Sequence, residues 1–584
     1  MAQLSRISKE RILKEKVVAI DTETTGLDTH DPKVVATHTS YWTNKGEGAG
    51  FPVTDTTRVA KLKAYCEDPS FTKLIFSAEF DSLILLRLGI KLRGPVICVL
   101  VASQMALGAE FNKNLKHLAR KYLKYLYLEK VRLDTWRKQN KGQPWGNAPV
   151  HIIEPYVMAD SKNCLELFYY IANYFDKYNQ WHVLEREMIL MKNVVMGMES
   201  YGALIDQNEV QRLSVATRDE LARLQREMVK IVGDPKFKPS SNPQVLRALI
   251  AEGTFIPTRF SKKTGKPMAD VIALLEYPSP LGHLVVKYRS TKKAASTYFK
   301  NFSKKILRVS FNQCGARTGR FSSSGPNLQN IPRPKEGFLG QARKCFVARP
   351  GCKLLFIDYE QIEMRLTAHF SGEEHMLEAI MAGEDLHDKT CARTFGLRKS
   401  SPSWDLMRYM SKTLNFQVLY GSGPDKFRQT ILKQTEGKIR ITIQEAARYI
   451  EDWKSAHPKV MKLFDDVAVE IAKTGGVMNH YGRYIAVDPS KPYVGVNYKV
   501  QGTAADFLKM KMLVVAQFML DKQSKLFLQV HDELVFNLVR QESWIVQHLA
   551  NIMEDRTTFK VPLTVSASYG QNWFSKKKIV LVPF

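Results

Sequence analysis

The sequence predicts a multidomain protein of mixed α/β and α+β class. Three observations carry that reading. The chain has 584 residues, more than one hydrophobic core organises. Apolar, β-branched runs alternate with long helical stretches. Acidic residues stand where several strand-like runs end, near both ends of the chain. Hydrophobic residues make up 44%, and no run approaches the roughly 18 apolar residues of a membrane helix.

In chain order, the start MAQLSRISKERILKEKVVAI alternates charge with apolar residues and lacks a secretory core, so a soluble, cytoplasmic protein is expected. The first block opens with the strand-like KVVAI, closes with a helical pattern around Ser161–Phe175, and ends near Trp181. The charged, periodic stretch Leu184–Val232 reads as long helices. A basic segment with Ser, Gly and Pro breaks follows. From Ile306 the chain returns to strand-like runs, ILRVSF, KLLFID and KLFLQVHDELVFNL, with a helical block between the last two. There is no internal repeat and no low-complexity tract.

The net charge of +28 points to a polyanionic partner. Between Pro257 and Arg308 there are 12 Lys or Arg against 2 Asp or Glu, so the excess is concentrated as a footprint on phosphates would be. The seven cysteines are odd in number, scattered and without a CxxC pair. That argues against a disulfide framework and against a structural zinc site.

Near the N-terminus, Val17–Ile20 runs into Asp21-Thr-Glu23-Thr-Thr-Gly26. Side chains two apart on a strand face the same way, so Asp21 and Glu23 can converge on one cation. Alone, such a pair is more often a solvated strand end. Asp81 and the pair Tyr156 and Asp160 add to it. The last two share a helix face at a spacing of four, with Pro155 expected in the first helical turn. The order D-x-E, D, Y-x₃-D resembles the DEDDy exonucleases over roughly the first 180 residues. The resemblance implies two divalent ions held by Asp21, Glu23, Asp81 and Asp160, with Tyr156 orienting the attacking water. Ser77 stands where that family usually has Asn.

Three segments of the C-terminal half form a second constellation: KLLFIDYEQIEMRLTAHFSGE, Arg408-YMS-Lys412-TLN-Phe416-QVL-Tyr420, and LFLQVHDELVFNL. In the middle segment Arg, Lys, Phe and Tyr recur every four residues, so each step drifts about 40° around a helix. The outcome is a stripe of two cations, which can meet phosphates, and two aromatics, which can stack on a base. Asp358 and Asp532 each stand where a buried strand ends, and two such acids on adjacent strands can hold a pair of magnesium ions.

These segments resemble motifs A, B and C of the family A DNA polymerases. Thr318-Gly-Arg320-Phe through Gln329-Asn-Ile-Pro332, Asn497-YKV-Gln501-Gly-Thr-Ala-Ala-Asp506 and the terminal VPL…GQNW pattern extend the resemblance to nearly the whole chain. It implies an RNase H-like 3′→5′ exonuclease domain over residues 1–182, followed by a right-hand polymerase. The thumb would span 183–305, the palm 306–373 and 484–584, and the fingers 374–483.

The resemblance further implies two Mg²⁺ in the polymerase site, on Asp358, Asp532 and the Tyr359 carbonyl, and two divalent ions in the exonuclease site. Arg408, Lys412 and His387 would contact incoming phosphates, with Lys412 donating a proton to pyrophosphate. Phe416 and Tyr420 would pack on the nucleotide, and Gln361 would help bind it. Glu363 would be the steric gate beside the sugar. Arg320, Asn497 and Gln501 would read the minor groove, and His531 and Glu533 would flank the ions. Glu360, Gln417 and Tyr493 depart from the usual motif residues.

Primer-template DNA and dNTPs are the implied partners of an enzyme expected to be a monomer, working with other replication proteins. The thumb is too short for a thioredoxin-binding insertion, and no room is expected before Asp21 for a 5′-nuclease domain. This compact layout suggests a bacteriophage replicative enzyme. A single-subunit RNA polymerase shares the palm, but the N-terminal acids, Glu363 and Phe416 argue against it. A non-catalytic DNA-binding relative would not be expected to keep every metal-binding acid.

Overall fold

The computed structural model describes residues 16–108, 114–253, 255–261, 263–277, 279–334 and 337–582. The N-terminal 15 residues, on which the reading of the start rests, and Lys262 of the basic segment lie outside them. No helix among the described residues is long and apolar enough to cross a membrane. All seven cysteines are free.

The chain forms two compact units. The first comprises Met1–Ser200 with Phe311–Ser322 and Met478–Ala486. Its sheet holds β1 (Val17–Thr24), β2 (Ala36–Thr43), β3 (Gly48–Pro52), β4 (Thr72–Ile75) and β5 (Val96–Cys98), in the order β3-β2-β1-β4-β5. β1 runs parallel to β4 and antiparallel to β2. Val17–Ile20 are fully buried, as expected of a central strand covered on both faces. Helices α1 (Ala78–Arg87) and α2 (Val150–Lys177) bring the remaining acids of this block.

Pro155 is not in the first turn of α2 as the sequence suggested; it is the sixth residue of the helix. There its missing N–H removes one intrahelical hydrogen bond. The helix persists because tertiary contacts outweigh that loss. Gly50 of β3 lies so close that a Cβ on it would stand 2.4 Å from the Glu154 carbonyl oxygen. Next to it, the Ser40 hydroxyl donates to the Val157 carbonyl at 2.8 Å. This close seating fixes the height of Tyr156 and Asp160 above the sheet.

Polar side chains tie the two remote segments into the first unit. Arg483 forms a buried ion pair with Glu187, whose carboxylate also accepts from Gln313 at 3.0 Å. Gln180 donates to the Gly482 carbonyl at 2.7 Å and accepts from the Tyr484 N–H at 3.0 Å. Tyr178 stacks on Tyr484 with ring centroids 3.8 Å apart.

The second unit comprises Tyr201–Ser310, Ser323–Val477 and Val487–Phe584. Its helix α3 (Gln207–Val232) is capped by Asp206, whose carboxylate accepts two first-turn N–H groups, and closes at Gly233 in the left-handed region. Helix α4 (Pro280–Lys293) carries part of the basic segment. An antiparallel sheet follows, built from β6 (Cys352–Tyr359), β7 (Lys525–Val530), β8 (Glu533–Val539), β9 (Val565–Gly570) and β10 (Lys577–Ile579), in the order β7-β8-β6-β9-β10. The same unit holds α5 (Ile362–Ser371), α6 (Leu386–Phe395), α7 (Trp404–Leu419) and α8 (Gly495–Phe518).

Within the first unit, Glu199 is buried and accepts the Phe311 N–H at 2.5 Å. Burial pushes its carboxyl up to about 8. An acid whose folded-state value is raised binds its proton more tightly folded than unfolded. Its stabilising contribution is therefore present below the unfolded value and is lost as pH rises toward the folded one. Glu199→Gln keeps an acceptor without a titration. Relative to this variant, the parent protein should lose up to about 1.4 kcal/mol per pH unit between about pH 5 and pH 8, read from denaturant midpoints. Parallel stability–pH curves would show that Glu199 is not held protonated.

Candidate active sites

In the first unit, Asp21, Glu23 and Asp160 each bring a carboxylate oxygen within 4.8 Å of the others. Two of them come from alternate positions of β1 and the third from the face of α2, as the spacing suggested. Asp81, at the start of α1, is buried and accepts from Thr22 through its backbone N–H at 3.1 Å and its hydroxyl at 2.5 Å. Burial, followed by Asp160, Asp81 and Glu23, holds the Asp21 carboxyl well above its usual range. Burial and Asp160 push Glu23 up to about 7. Burial takes Asp81 to about 7 against the opposing Thr22 hydrogen bonds. Tyr156 is likewise raised, by burial and then by the Glu23 charge.

Lys116 escaped the sequence reading. Its ammonium lies 2.5 Å from Asp160 Oδ2 and 4.7 Å from the Tyr156 ring centroid. Burial opposes its charge, yet Asp160 and Tyr156 hold it above the usual lysine range. The available signal was local: Asn114 caps a short helix by accepting from the N–H groups of Lys116 and His117, which aims the next turn.

In the second unit, Asp358 is the penultimate residue of β6 and stands directly opposite Glu533 of β8. Asp532 sits beside His531 in a two-residue turn between β7 and β8. His531 takes φ 58°, an uncommon value that such tight hairpin turns require. The Tyr359 N–H donates to the Asp532 carbonyl at 3.4 Å, and the Tyr359 hydroxyl is anchored on the Met553 carbonyl at 2.6 Å. Burial, then Asp532 and Glu533, pushes the Asp358 carboxyl up to about 8, with Arg333 and Lys576 acting in the opposite sense. Neither cation was picked out from sequence.

Arg408, Lys412 and Phe416 of the stripe lie on α7, and Tyr420 caps its C-terminus. Arg408, Lys412, Phe416 and Tyr420 are all half-buried, while Met410 and Leu414 between them face the core. Arg408 ion-pairs with Asp385 at 2.6 Å and with Asp388. Burial, with Arg333 and Arg408 next, lowers the Lys412 ammonium. The Tyr420 hydroxyl donates to Glu363 Oε2 at 2.9 Å, linking α7 to α5. Gln361 caps α5 from the left-handed region at φ 50°.

His387 on α6 is buried, and burial pulls its imidazole down to about 4. Its ring packs 5.9 Å from Phe416 and its Nδ1 lies 2.9 Å from the Asn415 amide nitrogen. Asn497 and Gln501 stand half-buried on α8, in the second unit. Arg320 belongs to the first unit, so the structure groups it apart from the other polymerase candidates. The carboxylate of Glu360 is taken up by the Thr564 hydroxyl at 2.9 Å and lies 3.8 Å from Arg365.

Residues 207–575 match the family model for DNA polymerase family A, and residues 2–174 that for a 3′-5′ exonuclease. The thermostable DNA polymerase I of Thermus aquaticus is 33% identical over 405 residues, covering 66% of this chain and 47% of the relative. DNA polymerase I of Pseudomonas aeruginosa is 29% identical over 613 residues, covering 97% of this chain and 64% of the relative. The chain thus spans about half the length of the Thermus relatives it matches. A solved chain described as the POL domain of Pol1 from M. smegmatis in complex with DNA primer-template and dNTP has a TM-score of 0.79. At 24% identity, over 97% of each chain, it shows the shared fold.

Asn415 is the buried hub that sets the α7 stripe. Its Oδ1 accepts from Trp453 at 2.6 Å and from Thr390 at 3.0 Å. Asn415→Leu leaves the buried Trp453 N–H without its acceptor, at about 1–3 kcal/mol, while the Thr390 hydroxyl keeps the Leu386 carbonyl at 2.9 Å. The denaturant midpoint should fall by an amount equivalent to about 1–3 kcal/mol. An unchanged midpoint would remove Asn415 from this role.

Proposed function

This chain belongs to DNA polymerase family A, and we propose that it extends a DNA primer on a template with dNTPs and removes 3′-terminal nucleotides at a second site. The observation that carries the reading is the pair of buried carboxylate clusters. Each lies in its own compact unit and within its own family match.

Both clusters suit hard divalent cations, since every side-chain donor is oxygen. Asp358 Oδ1 is buried and has no hydrogen-bond partner, as a group awaiting a cation would be. Two Mg²⁺ would be held by Asp358, Asp532 and the Tyr359 carbonyl, and two divalent ions by Asp21, Glu23, Asp81 and Asp160. When bound, such ions activate the attacking hydroxyl or water and neutralise the charge of the leaving oxygen.

Arg408 and Lys412 bind the triphosphate, and Arg408 exchanges its pairs with Asp385 and Asp388 for phosphate oxygens. The lowered Lys412 ammonium delivers a proton from Nζ to the departing pyrophosphate. His387, neutral at physiological pH, lines the phosphate side without adding charge. Phe416 and Tyr420 pack on the base pair and sugar, with Gln361 at the edge of the pocket. Glu363, fixed by the Tyr420 hydroxyl, fills the space beside C2′ and excludes ribonucleotides.

Asn497 and Gln501 read the minor-groove acceptors near the primer end. His531 and Glu533 border the acids. In the exonuclease site Tyr156 orients the attacking water. The basic helix α4 and its neighbours serve as a thumb on the phosphate backbone, where Lys292 already donates to Ser240 at 2.9 Å. The palm is the β7-β8-β6-β9-β10 sheet with α8, and the fingers carry α6 and α7.

The reading places the enzyme in DNA replication, monomeric and cytoplasmic. The relatives reported above are bacterial, so the expected bacteriophage origin draws no support from them.

The two activities should separate. Asp532→Asn should lower primer extension at least about a hundredfold while leaving degradation of single-stranded DNA intact. Asp21→Ala with Glu23→Ala should do the reverse. A folded variant of either kind that lost both activities would defeat the two-site reading.

A further inference from the structure

The polymerase acids have a companion that the family match does not include. The match ends at residue 575, and Lys576 is the next residue. Its ammonium pairs with Glu533 Oε2 and lies 3.9 Å from the centroid of the Phe356 ring. Phe356 and Asp358 alternate on β6 and share a face, so Lys576 reaches across that face toward the acids. The pair is shielded, with the Lys576 side chain 26% exposed and that of Glu533 10% exposed.

The backbone is built to deliver this side chain. β9 ends at Gly570, where a Cβ would stand 2.1 Å from the Ser575 carbonyl oxygen. Only glycine allows the chain to fold back so tightly. Asn572 Oδ1 holds the turn by accepting from the N–H groups of Phe574 at 3.0 Å and Ser575 at 2.8 Å. Strand β10 then returns along β9, with Tyr569 opposite Lys577 and Ala567 opposite Ile579. Trp573, at the centre of the turn, is buried beneath the Arg343 guanidinium at 4.2 Å. The terminal segment thus locks the position from which Lys576 projects.

Glu533 is the register partner of Asp358. Left alone, it would present a third carboxylate to any cation bound there. We propose that Lys576 is a positioning residue of the polymerase site. By holding Glu533 in an ion pair, it withholds that carboxylate from the cations that Asp358 and Asp532 would bind. The proposal rests on the reading that these two aspartates bind metal.

The test is Mn²⁺ binding to the DNA-free protein, followed by calorimetric or paramagnetic titration. The starting protein carries Asp21→Ala and Glu23→Ala, so that the first-unit acids do not contribute. Lys576→Met should tighten Mn²⁺ binding by about tenfold, the order expected for removing one nearby positive charge at a half-buried site. Lys576→Arg should bind like the starting protein. Adding Glu533→Gln to Lys576→Met should cancel the gain. Lys576→Gln, with the same charge change and a more polar side chain, replaces Lys576→Met if that variant does not fold.

An unchanged affinity, or a gain that survives Glu533→Gln, would overturn the role of Lys576. A folded starting protein that binds no Mn²⁺ would instead overturn the metal-site reading, and the proposal with it.

Discussion

Like-charged carboxylates crowded at the ends of buried strands are the constraint around which both units are organised. Taking one such group out of water disfavours its charged form, and a second acid nearby adds to the cost. Asp21 and Asp358 show both effects, burial first and neighbouring acids next. A strand end is the place where such groups can be held. The sheet fixes the backbone to a fraction of an ångström while the side chain projects past the last ladder bonds. In β1 the acids alternate on one strand and receive a third from α2. On β6 and β8, Asp358 and Glu533 face each other in register, and the tip of the β7–β8 hairpin carries Asp532.

The surrounding residues can be understood as responses to that charge. Thr22 donates twice to Asp81, and Lys116 sits on Asp160. In the second unit Lys576 pairs with Glu533, while Arg333 is close enough to lower both Asp358 and Lys412. The α7 stripe follows the same logic at longer range. Arg408 is neutralised by Asp385 and Asp388 until a phosphate replaces them. Each cation is thus either paired now or available to an anionic ligand.

Much of this was legible in the sequence because it depends on short spacings. D-x-E on a strand, Y-x₃-D on a helix and the four-residue recurrence from Arg408 to Tyr420 each state which face a side chain shares. The structure brings those residues together accordingly. What was not legible depends on long-range placement. Pro155 reads as a helix start, yet α2 begins a turn earlier because Gly50 and Ser40 hold its backbone. Arg333 and Lys576 have no local signature, and Lys116 has only the Asn114 cap beside it, since their partners lie tens of residues away. The recruitment of Phe311–Ser322 and Met478–Ala486 into the first unit rests on single polar contacts such as Arg483 with Glu187, which periodicity does not encode.

These clusters are strained without cations and relieved by them. The most direct measurement is the melting temperature of the metal-free protein at about pH 8, compared with that of Asp358→Asn, each repeated with Mg²⁺ added. Removing one buried like charge should raise the metal-free melting temperature by about 2–4 °C. Added Mg²⁺ should stabilise the parent protein more than the variant. An Asp358→Asn protein that melts at or below the parent temperature without metal, or an equal response of both proteins to Mg²⁺, would contradict the account.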